Sequence, residues 1–246
     1  MNLPSTWIRP DWPAPRRVRT IITTRKGGTS VGRYASMNLG TGGNDEAAAV
    51  ESNRALLRSY LPGEPRWLRQ VHGARTIEAS QWQPGITADA CVTREHNMVC
   101  AVMSADCIPV LLCDRDGHAV AAAHAGWRGL SAGILEAAVR AMEVPPSSLY
   151  AYLGPAIGPC AFEVGRDVYD TFTGHNPHAD AAFTAVAPDK WLCDLFRLAR
   201  QRLMDHGVES IFGGEDCTHS NPELFFSHRR DKITGRMAAL IWIEAT

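Results

Sequence analysis

His72, Cys107 and His124 are the side chains of this chain best suited to share a metal ion. Each stands among small or turn-forming residues, in Gln70-Val71-His72-Gly73, Ser104-Ala105-Asp106-Cys107-Ile108-Pro109 and His124-Ala125-Gly126-Trp127-Arg128-Gly129. Two imidazoles and one thiolate leave a tetrahedral zinc one ligand short, and catalytic zinc sites keep that position for water or substrate oxygen. Such a site would make the chain an enzyme. The spacings of 35 and 17 residues match no zinc-finger pattern, so each residue keeps a plainer reading beside the chemical one. His72 would then be a surface or hydrogen-bonded histidine, Cys107 a buried inert thiol, and His124 the end of a tight core strand. A bound cation would instead deprotonate Cys107, because the thiolate is the form that ligates.

Other polar groups stand beside these segments. Asp106 could orient a ligand histidine or be only a strand-end charge. Gly126 and Gly129 frame a loop carrying Trp127 and Arg128, ahead of a helix whose first amides could face an anion. Asn38 and Ser104 are candidate hydrogen-bond partners for a substrate, with turn capping as the plainer role.

The rest of the sequence describes the scaffold. With 246 residues, 45% hydrophobic and 21% charged, the chain can bury a core as one domain. A net charge of −1 offers no field to gather nucleic acid or an anionic membrane. No window approaches the roughly 20 apolar residues of a membrane span and no signal peptide opens the chain, so a cytoplasmic location is expected. The seven cysteines lack CxxC pairs and read as reduced thiols. A monomer is expected, with no nucleic-acid or membrane partner.

Residues 1 to 17, with Pro4, Pro10, Pro13, Pro15, Trp7 and Trp12, read as an extended arm; residues 18 to 246 read as one catalytic domain. β-Branched residues predict a strand over 18 to 24, ending in a glycine loop. A helix is predicted over 46 to 58 with Asp45 as its N-cap. Strands are expected over 67 to 71, 76 to 78, 90 to 93, 98 to 104, 108 to 114, 118 to 124, 150 to 153, 224 to 227 and 237 to 243, several of them apolar on both faces. Helices are expected after Gly129, over 166 to 173 and over 195 to 205. Strands outnumber helices without alternating with them, which predicts an α+β domain of mixed β-sheets flanked by helices.

The three segments, together with Thr23-Thr24-Arg25 through Gly28, Met37-Asn38-Leu39-Gly40, Gly154-Pro155-Ala156-Ile157-Gly158, Asp216-Cys217-Thr218, Phe226-Ser227-His228-Arg229-Arg230 and Gly235-Arg236, carry a resemblance. From about residue 18 to the end, the chain resembles the multicopper-oxidase-like, or laccase-domain, purine nucleoside phosphorylase family. His228 stands where that family usually has tyrosine. The resemblance implies a mononuclear zinc at His72, Cys107 and His124, with copper ranked below it. It also implies phosphorolysis of adenosine, inosine or methylthioadenosine, and deamination of adenosine. Polyphenol oxidation and editing of peptidoglycan precursors have been assigned to the same family.

On that reading Cys107, His124 and Arg128 are catalytic, Asn38, Ser104 and Arg229 bind substrate, and Arg128 and Arg229 clamp phosphate. Two alternatives remain open. One is an amide hydrolase with Cys107 as nucleophile and His124 as base; the other is a binding module whose zinc only staples loops. A copper cluster would need more histidines than these segments supply.

Overall fold

The computed structural model describes residues 3 to 245. In chain order the elements are β1 (Val18–Ile22), α1 (Ala47–Arg58), β2 (Pro65–Arg66), β3 (Thr76–Glu78), β4 (Ala90–Thr93), β5 (Val99–Ser104), β6 (Ile108–Asp114), β7 (Val120–Ala125), α2 (Trp127–Ser131), α3 (Ile134–Ala141), β8 (Leu149–Leu153), β9 (Glu163–Gly165), α4 (Arg166–His175), β10 (Phe183–Ala187), β11 (Lys190–Cys193), α5 (Leu195–Asp205), β12 (Ser210–Gly213), α6 (His228–Asp231) and β13 (Met237–Ile243). They form a six-stranded sheet β12-β8-β6-β7-β4-β3, a four-stranded sheet β1-β13-β5-β2 and a three-stranded sheet β10-β11-β9. Both larger sheets mix parallel and antiparallel pairs, so the α+β expectation holds.

The period of two along each strand explains how the larger sheets pack. In β13, Ala239, Ile241 and Ile243 meet Leu111 and Cys113 of β6 and Val120 and Ala122 of β7 between the two sheets. The alternate residues Ala238, Leu240 and Trp242 face outward to Leu57 of α1, with Trp7, Met37 and Leu39. On the far face of the six-stranded sheet, Val110 and Leu112 pack against Ile134 and Leu135 of α3 and against Leu198 and Leu203 of α5. Each central strand is thus apolar on both sides because it is covered on both sides.

Several elements differ from expectation, each for a local reason. Pairing stops at Arg66, and only an isolated bridge from Arg69 to Thr87 follows. The backbone N–H groups of residues 71 to 73 instead turn onto a carboxylate, and His72 takes a positive φ of 60°. Residues 224 to 227 are no strand: Phe225 and Phe226 are buried against Ala105 and Met237, and Ser227 caps α6 by accepting from Arg230 N. Glu46, not Asp45, is the N-cap of α1, because Asp45 Oδ2 accepts from Ser30 and Asn38. The helix after Gly129 is two helices, broken at Gly133 (φ 89°). The small sheet β9–β11 and the strand β12 had no alternation long enough to announce them. Among the described residues no helix is long and apolar enough to cross a membrane.

Candidate metal site

The two larger sheets bring the three segments to one end. β6 and β7 pair with Pro109 opposite His124, which sets Cys107, just ahead of β6, beside the last turn of β7. The loop after β2 reaches the same place because Gln70 clamps it to β5: its Nε2 donates to Met103 O at 2.8 Å and its Oε1 accepts from Met103 N at 2.8 Å. The His72 and His124 rings lie 4.9 Å apart at 68°, and the donor atoms of His72, Cys107 and His124 all fall within 4.8 Å of one another. A tetrahedral ion with ligand bonds of about 2.0 to 2.3 Å spaces its donors about 3.5 Å apart, so one ion is within reach of all three. Burial falls from His124 to Cys107 to His72, which is exposed. The open side therefore lies toward His72.

Asp89 is the residue that organises this end. Fully buried just ahead of β4, its carboxylate accepts from the backbone of Val71 (3.2 Å), His72 (2.9 Å) and Gly73 (2.8 Å) and bonds His124 Nδ1 at 3.0 Å. With Nδ1 held there, His124 is left to present Nε2, the usual arrangement of a carboxylate behind a ligand histidine. The orienting carboxylate is thus Asp89 rather than Asp106. Its trace in the sequence is an acid inside the apolar run Ala88-Asp89-Ala90-Cys91-Val92, where burial demands partners.

Asp106 acts differently, at the Cys107 corner. Its φ is 100°, its carboxylate accepts from Thr218 Oγ1 and from Arg229 N, both at 2.6 Å, and its carbonyl accepts from Ile157 N at 2.9 Å. The segments around Ile157, Thr218 and Arg229 are therefore buttresses of the turn that carries Cys107. Gly126 completes the cradle, since a Cβ there would stand 2.6 Å from Cys107 Sγ and 3.1 Å from His72 Cδ2.

Electrostatics suit these donors to a cation. Burial alone would raise the Cys107 thiol, but the His124 charge and hydrogen bonds from both histidines outweigh it and bring the thiol to about 6. Burial would likewise lower His124, yet the Cys107 thiolate and Asp89 raise it to about 9. Burial also opposes charge on Asp89, and its bonds to His124, Gly73 and Val71 still hold it below the usual carboxylate range. In the metal-free centre both shifts favour a Cys107 thiolate beside a charged His124 ring.

The remaining expected site residues fall in several places. Arg128 is exposed, its guanidinium 4.4 Å above the Trp127 ring. Arg229 lies over Phe162 at 5.0 Å and donates to Glu163 O at 2.9 Å. Asn38 is buried and spends its amide on Gly40, Asp45 and the Arg236 backbone. Ser104 ends β5 three residues before Cys107, 5% exposed.

All seven cysteines are free. A second ligand-rich group, Asp114, Asp116 and His118, sits in the β6–β7 turn, where Asp114 already accepts from Ala119 N and Asp116 N. A cleft of about 350 Å³ lined by Glu136, Arg140 and Arg202 shares no residue with the trio.

Comparison with known proteins agrees with this architecture. Residues 19–244 match the family model described as multi-copper polyphenol oxidoreductase laccase. The chain is 48% identical to a purine nucleoside phosphorylase of Pseudomonas aeruginosa, over 98% of this chain and 99% of that protein. It is 49% identical to the purine nucleoside phosphorylase YfiH of Escherichia coli, over 97% and 99%. The crystal structure of Neisseria meningitidis protein NMB0706 superposes with a TM-score of 0.95 at 48% identity, covering 98% of this chain and 100% of that one. YlmD from Geobacillus stearothermophilus gives 0.92 at 30% identity, covering 100% and 98%. With near-complete coverage in sequence and in fold, the chain belongs to the multi-copper polyphenol oxidoreductase laccase family.

Proposed function

We propose that this protein is a zinc-dependent purine nucleoside phosphorylase, acting on adenosine, inosine and methylthioadenosine, and that it also deaminates adenosine. The observation that carries the reading is full-length identity near one half to relatives named purine nucleoside phosphorylase. Supporting it is a three-donor centre open on one side. His72, Cys107 and His124 would hold the metal. Their two imidazoles and one thiolate suit zinc, and no many-histidine cluster stands elsewhere among the described residues to serve several coppers. When bound, zinc supplies Lewis acidity toward an oxygen of substrate or water.

In phosphorolysis the C1′–N9 bond of the nucleoside breaks, a phosphate oxygen bonds C1′, and the purine leaves with a proton. The chain must therefore hold phosphate against the sugar and exclude competing water. Arg128, Arg229, Asn38 and Ser104 are the polar groups assigned to substrate in this reading. The exposed Val71, beside His72, offers an apolar contact for base or sugar at the open side.

A second reading has a specific observation in its favour. The Cys107 thiolate paired with the His124 imidazolium, itself backed by Asp89, is also the arrangement of a cysteine hydrolase, with an amide of a peptidoglycan precursor as substrate. One experiment separates the two. Protein loaded with zinc is incubated with each nucleoside, with and without phosphate, and in parallel with an amide of a peptidoglycan precursor, and the products are chromatographed. Phosphate-dependent release of adenine and hypoxanthine, abolished by a chelator, is the expected result. Full amide hydrolysis in chelator with no purine base released would favour the thiol instead.

A further inference from the structure

Arg236 is the arginine that the fold sets beside the metal cradle. β13 pairs with β5 so that Met237 faces Ser104, which places Arg236 level with Ala105, at the turn leading into Asp106 and Cys107. Its guanidinium lies within electrostatic reach of both the Cys107 sulfur and the Asp106 carboxylate. Neither acid group closes on it, because the Asp106 oxygens are already taken by Thr218 and Arg229 N. On its other side the side chain packs under the glycine turn after Asn38, where a Cβ on Gly40 would meet Arg236 Cγ at 2.8 Å.

The hydrogen bonds of this side chain are unbalanced. Nη1 donates to the carbonyls of Thr234 (3.1 Å) and Gly235 (2.9 Å), which fixes the plane of the guanidinium. Nε and Nη2 have no partner among the described residues, and Arg236 forms no ion pair there. A half-buried guanidinium held in one orientation with its Nε–Nη2 edge free is suited to a planar or tetrahedral oxyanion. Its backbone is engaged separately, for Arg236 N donates to Asn38 Oδ1 at 2.8 Å and its carbonyl accepts from Leu39 N at 3.1 Å. Those bonds would survive a change of side chain.

We propose that Arg236 binds the phosphate co-substrate beside the His72–Cys107–His124 centre, in place of Arg128 and Arg229. Arg128 lies over Trp127 in solvent, and Arg229 is anchored to the Glu163 carbonyl and Phe162. This inference rests on the phosphorylase reading above.

Two measurements test it. In zinc-loaded protein, Arg236→Gln raises KM for phosphate by about 10- to 100-fold, the loss expected for a hydrogen bond to a charged group, and Arg236→Lys recovers part of it. Metal content, melting temperature and KM for the nucleoside stay at the wild-type level. A phosphate KM unchanged in Arg236→Gln, or one that rises only together with the nucleoside KM, overturns the proposal. The second measurement needs no variant to fold: wild-type protein is modified with phenylglyoxal, with and without inorganic phosphate, and the modified arginines are located by mass spectrometry. Phosphate protects Arg236 and leaves Arg128 and Arg229 reactive if the inference holds. Protection of either of those two instead, or of none, contradicts it. Protection of Arg236 in a protein that shows no phosphorolysis would leave the anion site standing and remove the phosphorylase reading.

Discussion

Two buried aspartates serve the same centre in different ways. The partners of Asp89 are the candidate ligands themselves or their immediate neighbours: three consecutive N–H groups around His72 and the ring of His124. Asp106 touches neither histidine, and its partners, Thr218 and the Arg229 backbone, come from distant parts of the chain. One carboxylate therefore aims two of the candidate ligands, and the other fixes the corner from which the third projects. The difference predicts that metal binding depends more steeply on Asp89, while the packing of the C-terminal segments depends on Asp106.

Substitution at Asp89 should produce the largest effect. In Asp89→Asn a single carbonyl oxygen replaces two acceptors, and the amide sets donors against the N–H groups of residues 71 to 73. Metal affinity falls by about 10- to 100-fold, read by competition with a chromogenic chelator. Wild-type affinity in this variant would erase the distinction between the two carboxylates.

Gly126→Ala comes next, and it isolates space from charge. Gly126 has φ −74° and ψ 164°, a conformation open to any residue, so the backbone tolerates alanine while the new Cβ crowds Cys107 Sγ. Weaker metal binding with an unchanged melting temperature in metal-free protein is the expected pair of results. Asp106→Asn should cost about 1 to 3 kcal/mol of stability through its lost bonds, with a smaller change in metal affinity than Asp89→Asn. Denaturant titration of the metal-free protein measures it, and a reversed ranking of the two variants would sink the comparison.

A separate expected effect is a pH dependence confined to metal-free protein. Cys107, lowered from 9.0 to about 6, contributes stability that is complete above 9.0 and lost as pH falls through about 6. His124, raised from 6.5 to about 9, contributes stability that is complete below 6.5 and lost as pH rises through about 9. Each shift is caused chiefly by the charge on the other group, so the two contributions overlap, and the pair stabilises most between about pH 6 and about pH 9, where both are charged. Metal binding within that window needs neutral imidazole and so expels the His124 proton, which calorimetry in buffers of different ionisation enthalpy can count. Uptake without proton release would contradict the thiolate–imidazolium description.

Much of this was legible in the residues themselves. The continuous apolar runs of β6, β7 and β13 announced strands covered on both faces, and the turn-forming context of positions 72, 107 and 124 allowed a meeting point that the family resemblance, not the spacing, singled out. What escaped the sequence was decided by distant partners. The strand expected over 67 to 71 failed because the Trp67 amide turns back to Pro65 O, Arg69 bonds the Ile86–Ala88 segment instead of the sheet, and Asp89 takes the Val71 amide. Asp45 left its cap position for Ser30 and Asn38, and the Phe225-Phe226 pair went into a loop core instead of a strand. Arg236 stood in a motif, yet only the register of β13 against β5 shows which residue it faces. The short strands β9 to β12 carry too few alternating positions for a periodic signal to rise above chance.

The central claim is that one ion is shared by His72, Cys107 and His124 and is required for turnover. Its most direct test is the metal content of protein purified without added metal, set beside activity on purine nucleosides before and after chelation. The account predicts close to one zinc per chain in the wild type, little in Cys107→Ser, and activity that leaves with the metal and returns with it. Full activity in a chain stripped of metal would contradict it.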